Sequence, residues 1–178
     1  MVKKILFLVA LLLVPGQVLA YNLPSYRELC KNLVDLSGWK AEECTGLNAT
    51  NPMGEIASAT RTYTRDKQEL NVQLVLGAAA MAAAGPLAYQ RSFEMDSPEE
   101  FIRITTIDGF RVGIQYNKKT HSGSVGVFLT EPPKTMDPAS ISQMAILVVG
   151  YQNMDWKEAL SWAQKFDWKS LKAAIGHK

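Results

Sequence analysis

The chain has 178 residues, with 19 Lys and Arg against 17 Asp and Glu, two His and two Cys, and 47% of it is hydrophobic. Lys3 and Lys4 account for the basic surplus, so the chain beyond residue 20 carries seventeen charges of each sign, mixed along its length. That balance excludes the basic stripe that neutralises nucleic-acid phosphates, and the polybasic face that is drawn to anionic lipid.

Residues 1–20 have the layout of a secretory signal peptide. Lys3 and Lys4 supply the positive start, Ile5 to Val14 an unbroken apolar run, and Pro15-Gly16 a break. Val18-Leu19-Ala20 then sets small residues before a cut at Tyr21. The apolar run is short of the roughly 20 residues of a membrane helix, which disfavours an uncleaved anchor. The expected organisation is a signal peptide over 1–20 and a single α+β domain over 21–178, exported to the periplasm or secreted.

Cys30 and Cys44 are the only cysteines. In an exported chain such a pair is expected to be bonded, and the closed loop of about 15 residues is worth about 3 kcal/mol in the chain-entropy model. A redox pair is the rival, but the spacing is not C-x-x-C. A metal site would need more ligands than the two His supply. Arg27-Glu28-Leu29 before Cys30 also differs from the small, apolar residues of a lipid-attachment box.

The predicted elements begin with a helix opened by Ser25 and Glu28, a capping box, with Leu29, Leu33 and Leu36 on one face and Gly38 at the end. Residues 45–54 read as a loop, and Asn48-Ala49-Thr50 within it as a glycosylation sequon of little weight. Residues 55–64 and 69–76 form a hairpin around Asp66-Lys67, the second strand alternating Leu70, Val72, Leu74, Leu76 against Asn71 and Gln73. Residues 77–90 are Ala-rich and interrupted by Gly85-Pro86. They read either as a short helix packed close to the sheet or as a flap, including Met81 and Tyr89, over an apolar cavity.

Strands follow at 101–107 and 110–117, joined by the hairpin dipeptide Asp108-Gly109, then at 124–130 and 143–150. Residues 131–140 form a proline-rich loop. Asp155 and Glu158 open a helix with Trp156, Ala159, Leu160 and Ala163 on one face, and Asp167 caps a last helix over 168–175. Trp156, Trp162 and Trp168 fit core positions by their spacing, with a ligand cage as the alternative.

Little in the chain carries chemistry. His121 lies in a polar turn and His177 is penultimate. Ser122-Gly123-Ser124-Val125-Gly126 follows a hairpin turn and does not open a helix, so it is not a nucleophile elbow. Asp96, Glu99 and Glu100 read as a polar turn. No phosphate loop, zinc motif or haem motif is present, so no cofactor is expected. One polar set stands out. Arg61 and Tyr63 share one strand face, and Arg103 and Thr105 share another; if the strands are neighbours these four form a candidate ligand or partner face. Edge charge explains them equally.

The stretches Ser58 to Thr64, Leu70 to Leu74, Arg103 to Gly109 and Phe166 to Leu171, with Trp39 after Gly38, resemble a group of uncharacterised exported bacterial proteins. The resemblance covers most of the chain beyond residue 20, but rests on packing motifs and brings no catalytic residues. It implies a bacterial periplasmic setting and an α+β fold; residues 131–140 are longer than in that group.

The fold expected is α+β, a twisted antiparallel sheet of about six strands with N- and C-terminal helices packed on one face. The function expected is a non-enzymatic binding or interaction module for a protein partner or small ligand. The alternatives are a carrier of a small apolar ligand with 77–90 as its lid, and an envelope hydrolase gathering His121 with Asp96 or Glu100.

Overall fold

The structure is a computed structural model and describes residues 23–52, 54–85, 90–133 and 137–176. The signal-peptide reading of 1–20, Tyr89 and His177 lie outside the described residues.

In chain order the elements are α1 (Tyr26–Cys30), β1 (Lys40–Ala41), β2 (Thr45–Asn51), β3 (Gly54–Arg65), β4 (Gln68–Gly77), α2 (Ala78–Ala84), β5 (Phe93–Asp96), β6 (Glu100–Ile107), β7 (Phe110–Asn117), β8 (Ser122–Phe128), α3 (Pro138–Ser142), β9 (Ala145–Gln152), α4 (Trp156–Ala163) and α5 (Trp168–Ile175). The nine strands pair antiparallel in one sheet ordered β1-β3-β4-β9-β8-β7-β6-β5. β2 also pairs with β3, at residues 54–60, in line with β1 at residues 63–64. A tight turn at Asp108-Gly109, both residues at positive φ, closes the β6–β7 hairpin as the dipeptide predicts.

Side chains alternate between the two faces of the sheet. On one face Ala57, Ala59, Tyr63, Leu70, Val72, Leu74, Val125, Val127, Leu147 and Val149 are buried. They join Leu29, Leu33, Leu36 and Trp39 at one end of the chain and Ala159, Ala163, Phe166, Trp168 and Leu171 at the other in a single cluster. Gly123 is required on this face. A Cβ there would run into the Gln115 carbonyl oxygen and the Tyr151 hydroxyl, which bond to one another at 2.9 Å. The opposite face carries Thr60, Thr62, Asn71, Gln73 and Ser124, all partly exposed. It is apolar at its end near α2, where Val75, Phe128 and Ile146 pack with Ala80, Ala84 and Met144, and again along β5 and β6, where Phe93 and Met95 stand opposite Ile104 and Ile102.

These observations correct the expected six-strand sheet with terminal helices on one face. The sheet has nine strands, and the helices are short, five to eight residues each among the described ones. Three strands were not expected: β1, β2 and β5. β2 spans a segment that reads as loop because Thr, Gly and Asn dominate it; pairing with β3 along its whole length overrides that composition. Helical packing is also not confined to one face, since α2 contacts β4 and β9 through the second cluster. α1 stops after little more than a turn; the amides of Lys31, Asn32 and Leu33 bond three residues back, and beyond them the carbonyls of Leu33 and Val34 accept from side chains of β3.

Candidate functional site

Cys30 and Cys44 form the expected disulfide, with Cα atoms 5.8 Å apart. It closes the loop that contains Leu33, Val34, Asp35 and Glu42. Among the described residues no helix is long and apolar enough to cross a membrane.

Arg61 and Tyr63 work inside that loop. The Arg61 guanidinium donates to the Glu42 carbonyl at 2.9 Å, to the Leu33 carbonyl at 2.6 Å and to the Asp35 carboxylate at 2.6 Å. The Tyr63 hydroxyl donates to the Val34 carbonyl at 2.8 Å, and its ring is fully buried against Phe166. Carbonyls without a regular partner are thereby satisfied, as buried backbone requires. Burial pushes the Tyr63 hydroxyl up to about 12, against the Arg61 cation that pulls it back.

Arg103 and Thr105 lie on the same face of the sheet as Arg61 and Tyr63, but on β6. Arg61 and Arg103 even share one cross-strand row, through Val72, Val149, Val125 and Ile114. Four strands intervene, which at the usual strand spacing is about 24 Å. The two pairs therefore do not form one face site. Arg103 instead meets Glu94 at 3.4 Å, an exposed ion pair. Met81 lies on α2, partly buried beside the small cluster of the opposite face. α2 rests directly on that cluster through Ala80 and Ala84, which is the packing expected of a short helix. A half-open cleft of about 410 Å³ lies elsewhere, between Leu76, Met144, Glu131, Lys172 and Ile175, and none of residues 78–84 lines it.

Asp96, Glu100 and His121 lie at one end of strands β5 to β8, but each is bonded to a different partner. His121 Nδ1 is 2.7 Å from the Tyr116 hydroxyl. Asp96 pairs with Lys118, and Glu100 accepts from the Gln115 amide at 2.9 Å. Ser124 lies within β8, not at a strand-to-helix turn. Burial raises the Tyr116 and Tyr151 hydroxyls, which makes both weaker acids than an ordinary tyrosine. Among the described residues no three His, Cys, Asp or Glu side chains converge on a metal-sized site.

The tryptophans have separate partners. Trp156 stacks on Phe101 at 5.0 Å, Trp162 meets Trp39 edge-on at 5.5 Å, and Trp168 meets Phe110 edge-on at 5.8 Å. Arg65 lies over both Trp39 and Trp162, with Glu158 on its guanidinium at 2.7 Å. Asn48 of the sequon is also engaged. Its side-chain oxygen accepts from the Tyr26 amide at 2.7 Å and its amide donates to the Pro24 carbonyl at 3.3 Å.

What the sequence pattern did not single out is the exposed apolar corner on β5. Phe93 and Met95 are 38% and 37% exposed. Both project to the helix-poor face, opposite Ile104 and Ile102 of β6. The residue signal was present, two apolar positions two apart, but too short to stand out from a loop. No family model, curated protein or solved structure matches the chain.

Proposed function

We propose that this is an exported, non-enzymatic binding module that takes a protein partner at the β5–β6 corner. The observation that carries this reading is the pair Phe93 and Met95, large apolar side chains left in water on an edge strand. By contrast, Arg61, Tyr63, Asp96, Glu100 and His121 are bonded within the fold. The layout of residues 1–20 and the disulfide support export.

Two measurements test it. N-terminal sequencing of the protein recovered from the envelope is expected to begin at Tyr21; an intact Met1 would overturn the export reading. A photo-crosslinking residue at position 95, in cells that make the protein natively, is expected to give one discrete adduct. Phe93→Asp should abolish that adduct without lowering thermal stability. The binding reading fails if no adduct forms at 95, or if the same adducts form from a position on α4.

A further inference from the structure

We propose that two copies of this chain pair edge to edge through β2, antiparallel, about a two-fold axis at Asn48. β2 has β3 on one side and no strand on the other among the described residues. Thr45 to Thr50 are all exposed.

The free backbone groups on β2 can be assigned. The two-residue turn Asp66-Lys67 makes Arg65 and Gln68 a hydrogen-bonded pair, and such pairs recur at every second residue. Tyr63, Arg61, Ala59 and Ala57 therefore bond to β4. Thr64, Thr62, Thr60, Ser58 and Ile56 point to the other edge, as the Glu42 amide on the Thr62 carbonyl at 2.9 Å attests. On β2, Thr45, Leu47 and Ala49 then exchange bonds with β3. Gly46, Asn48 and Thr50 turn their N–H and C=O groups outward.

Edge strands are usually protected by charge, proline or a bulge. β2 has no charged residue or proline, and it pairs with β3 without a bulge. Its sequence also suits a second copy of itself. About Asn48, the outward residues meet as Gly46 with Thr50, Asn48 with Asn48, and Thr50 with Gly46. On the other side of the strand Leu47 meets Ala49 and Ala49 meets Leu47. Small residues stand opposite larger ones, and no like charges meet. The Asn48 side chain does not compete for the new backbone bonds, being held by Tyr26 and Pro24. The other edge of the sheet fails this test. Pairing β5 with itself about Met95 sets Glu94 against Asp96 twice, and like charges directly opposite repel.

The test is sedimentation of the chain without residues 1–20 over a concentration series, together with amide exchange. A reversible dimer is expected, with exchange at Gly46, Asn48 and Thr50 slowing as the dimer forms. Thr50→Pro removes one outward N–H that β3 does not use, and Leu47→Lys adds an edge charge; each should raise the dimer dissociation constant by about tenfold or more. Thermal unfolding of both variants should match the parent and shows that they fold. A monomer at all concentrations overturns the proposal. So does a dimer that both variants leave intact, or one that protects Glu94 and Asp96 instead.

Discussion

Arg61 and Tyr63 do for residues 33–42 what regular secondary structure does elsewhere, since between them they satisfy three backbone carbonyls. A guanidinium can fork across two carbonyls and a carboxylate; an ammonium cannot. Arg61→Lys is therefore expected to cost about 2 kcal/mol in chemical denaturation. Asp35→Asn should cost under about 1 kcal/mol, because the Asp35 side chain is 83% exposed and its ion pair is screened. Equal losses would show that the ion pair, and not the carbonyl bonds, sets the effect. Tyr63 also links residue to pH. Its hydroxyl, like those of Tyr116 and Tyr151, is raised by burial. A raised folded value means the folded state holds its proton longer than the unfolded state. The stabilisation is complete below the ordinary tyrosine value of about 10 and is lost as pH rises through the folded value. The melting temperature should thus fall above about pH 10, and Tyr63→Phe should flatten part of that fall.

Among the elements, α5 has the clearest electrostatic dependence. The Asp167 carboxylate accepts from the Ser170 hydroxyl at 2.6 Å and from the amides of Lys169 and Ser170 at 3.2 Å. These donors, the Ser170 hydroxyl foremost, hold its carboxyl below the usual range. The sign is opposite to that of the tyrosines. The cap is fully effective above the unfolded Asp value, about 4, and weakens as pH falls through the lower folded value. Amide protection over residues 168–175 is expected to drop in that acid window, and Asp167→Ala should remove the pH dependence along with the protection. This cap was legible in the sequence, as were β7 at its observed bounds and β4 from the alternation of Leu70, Val72, Leu74 and Leu76 with Asn71 and Gln73. Both strands are central, so burial of one or both faces writes itself into the residue pattern. β2 and β5 were not legible because edge strands bury little and their residues are free to be polar. The sequence marks Arg61 and Tyr63 as strand residues sharing one face, which they are. Their role was hidden because their partners are backbone carbonyls 19 to 29 residues away, which no side-chain pattern marks.

For the whole molecule, the disulfide and β3 grip the same loop from two directions. Cys30–Cys44 closes it covalently, and Arg61 and Tyr63 fasten its interior. Replacing both cysteines by serine is expected to cost about 3 kcal/mol from loop entropy alone. Combining that change with Arg61→Lys should give a loss different from the sum by more than about 0.5 kcal/mol, since both act on one segment. Strict additivity in denaturant titrations would mean that bridge and side chains act independently.

The sheet order has a consequence in time. β9 is the last strand made, yet it lies between β4 and β8 and is the seam between the two halves of the sheet. Until residues 145–152 are free, β4 and β8 are both raw borders, and most long-range pairing must wait. A chain still being synthesised cannot close around its own centre. The connectivity itself delays closure of the sheet until synthesis is almost complete.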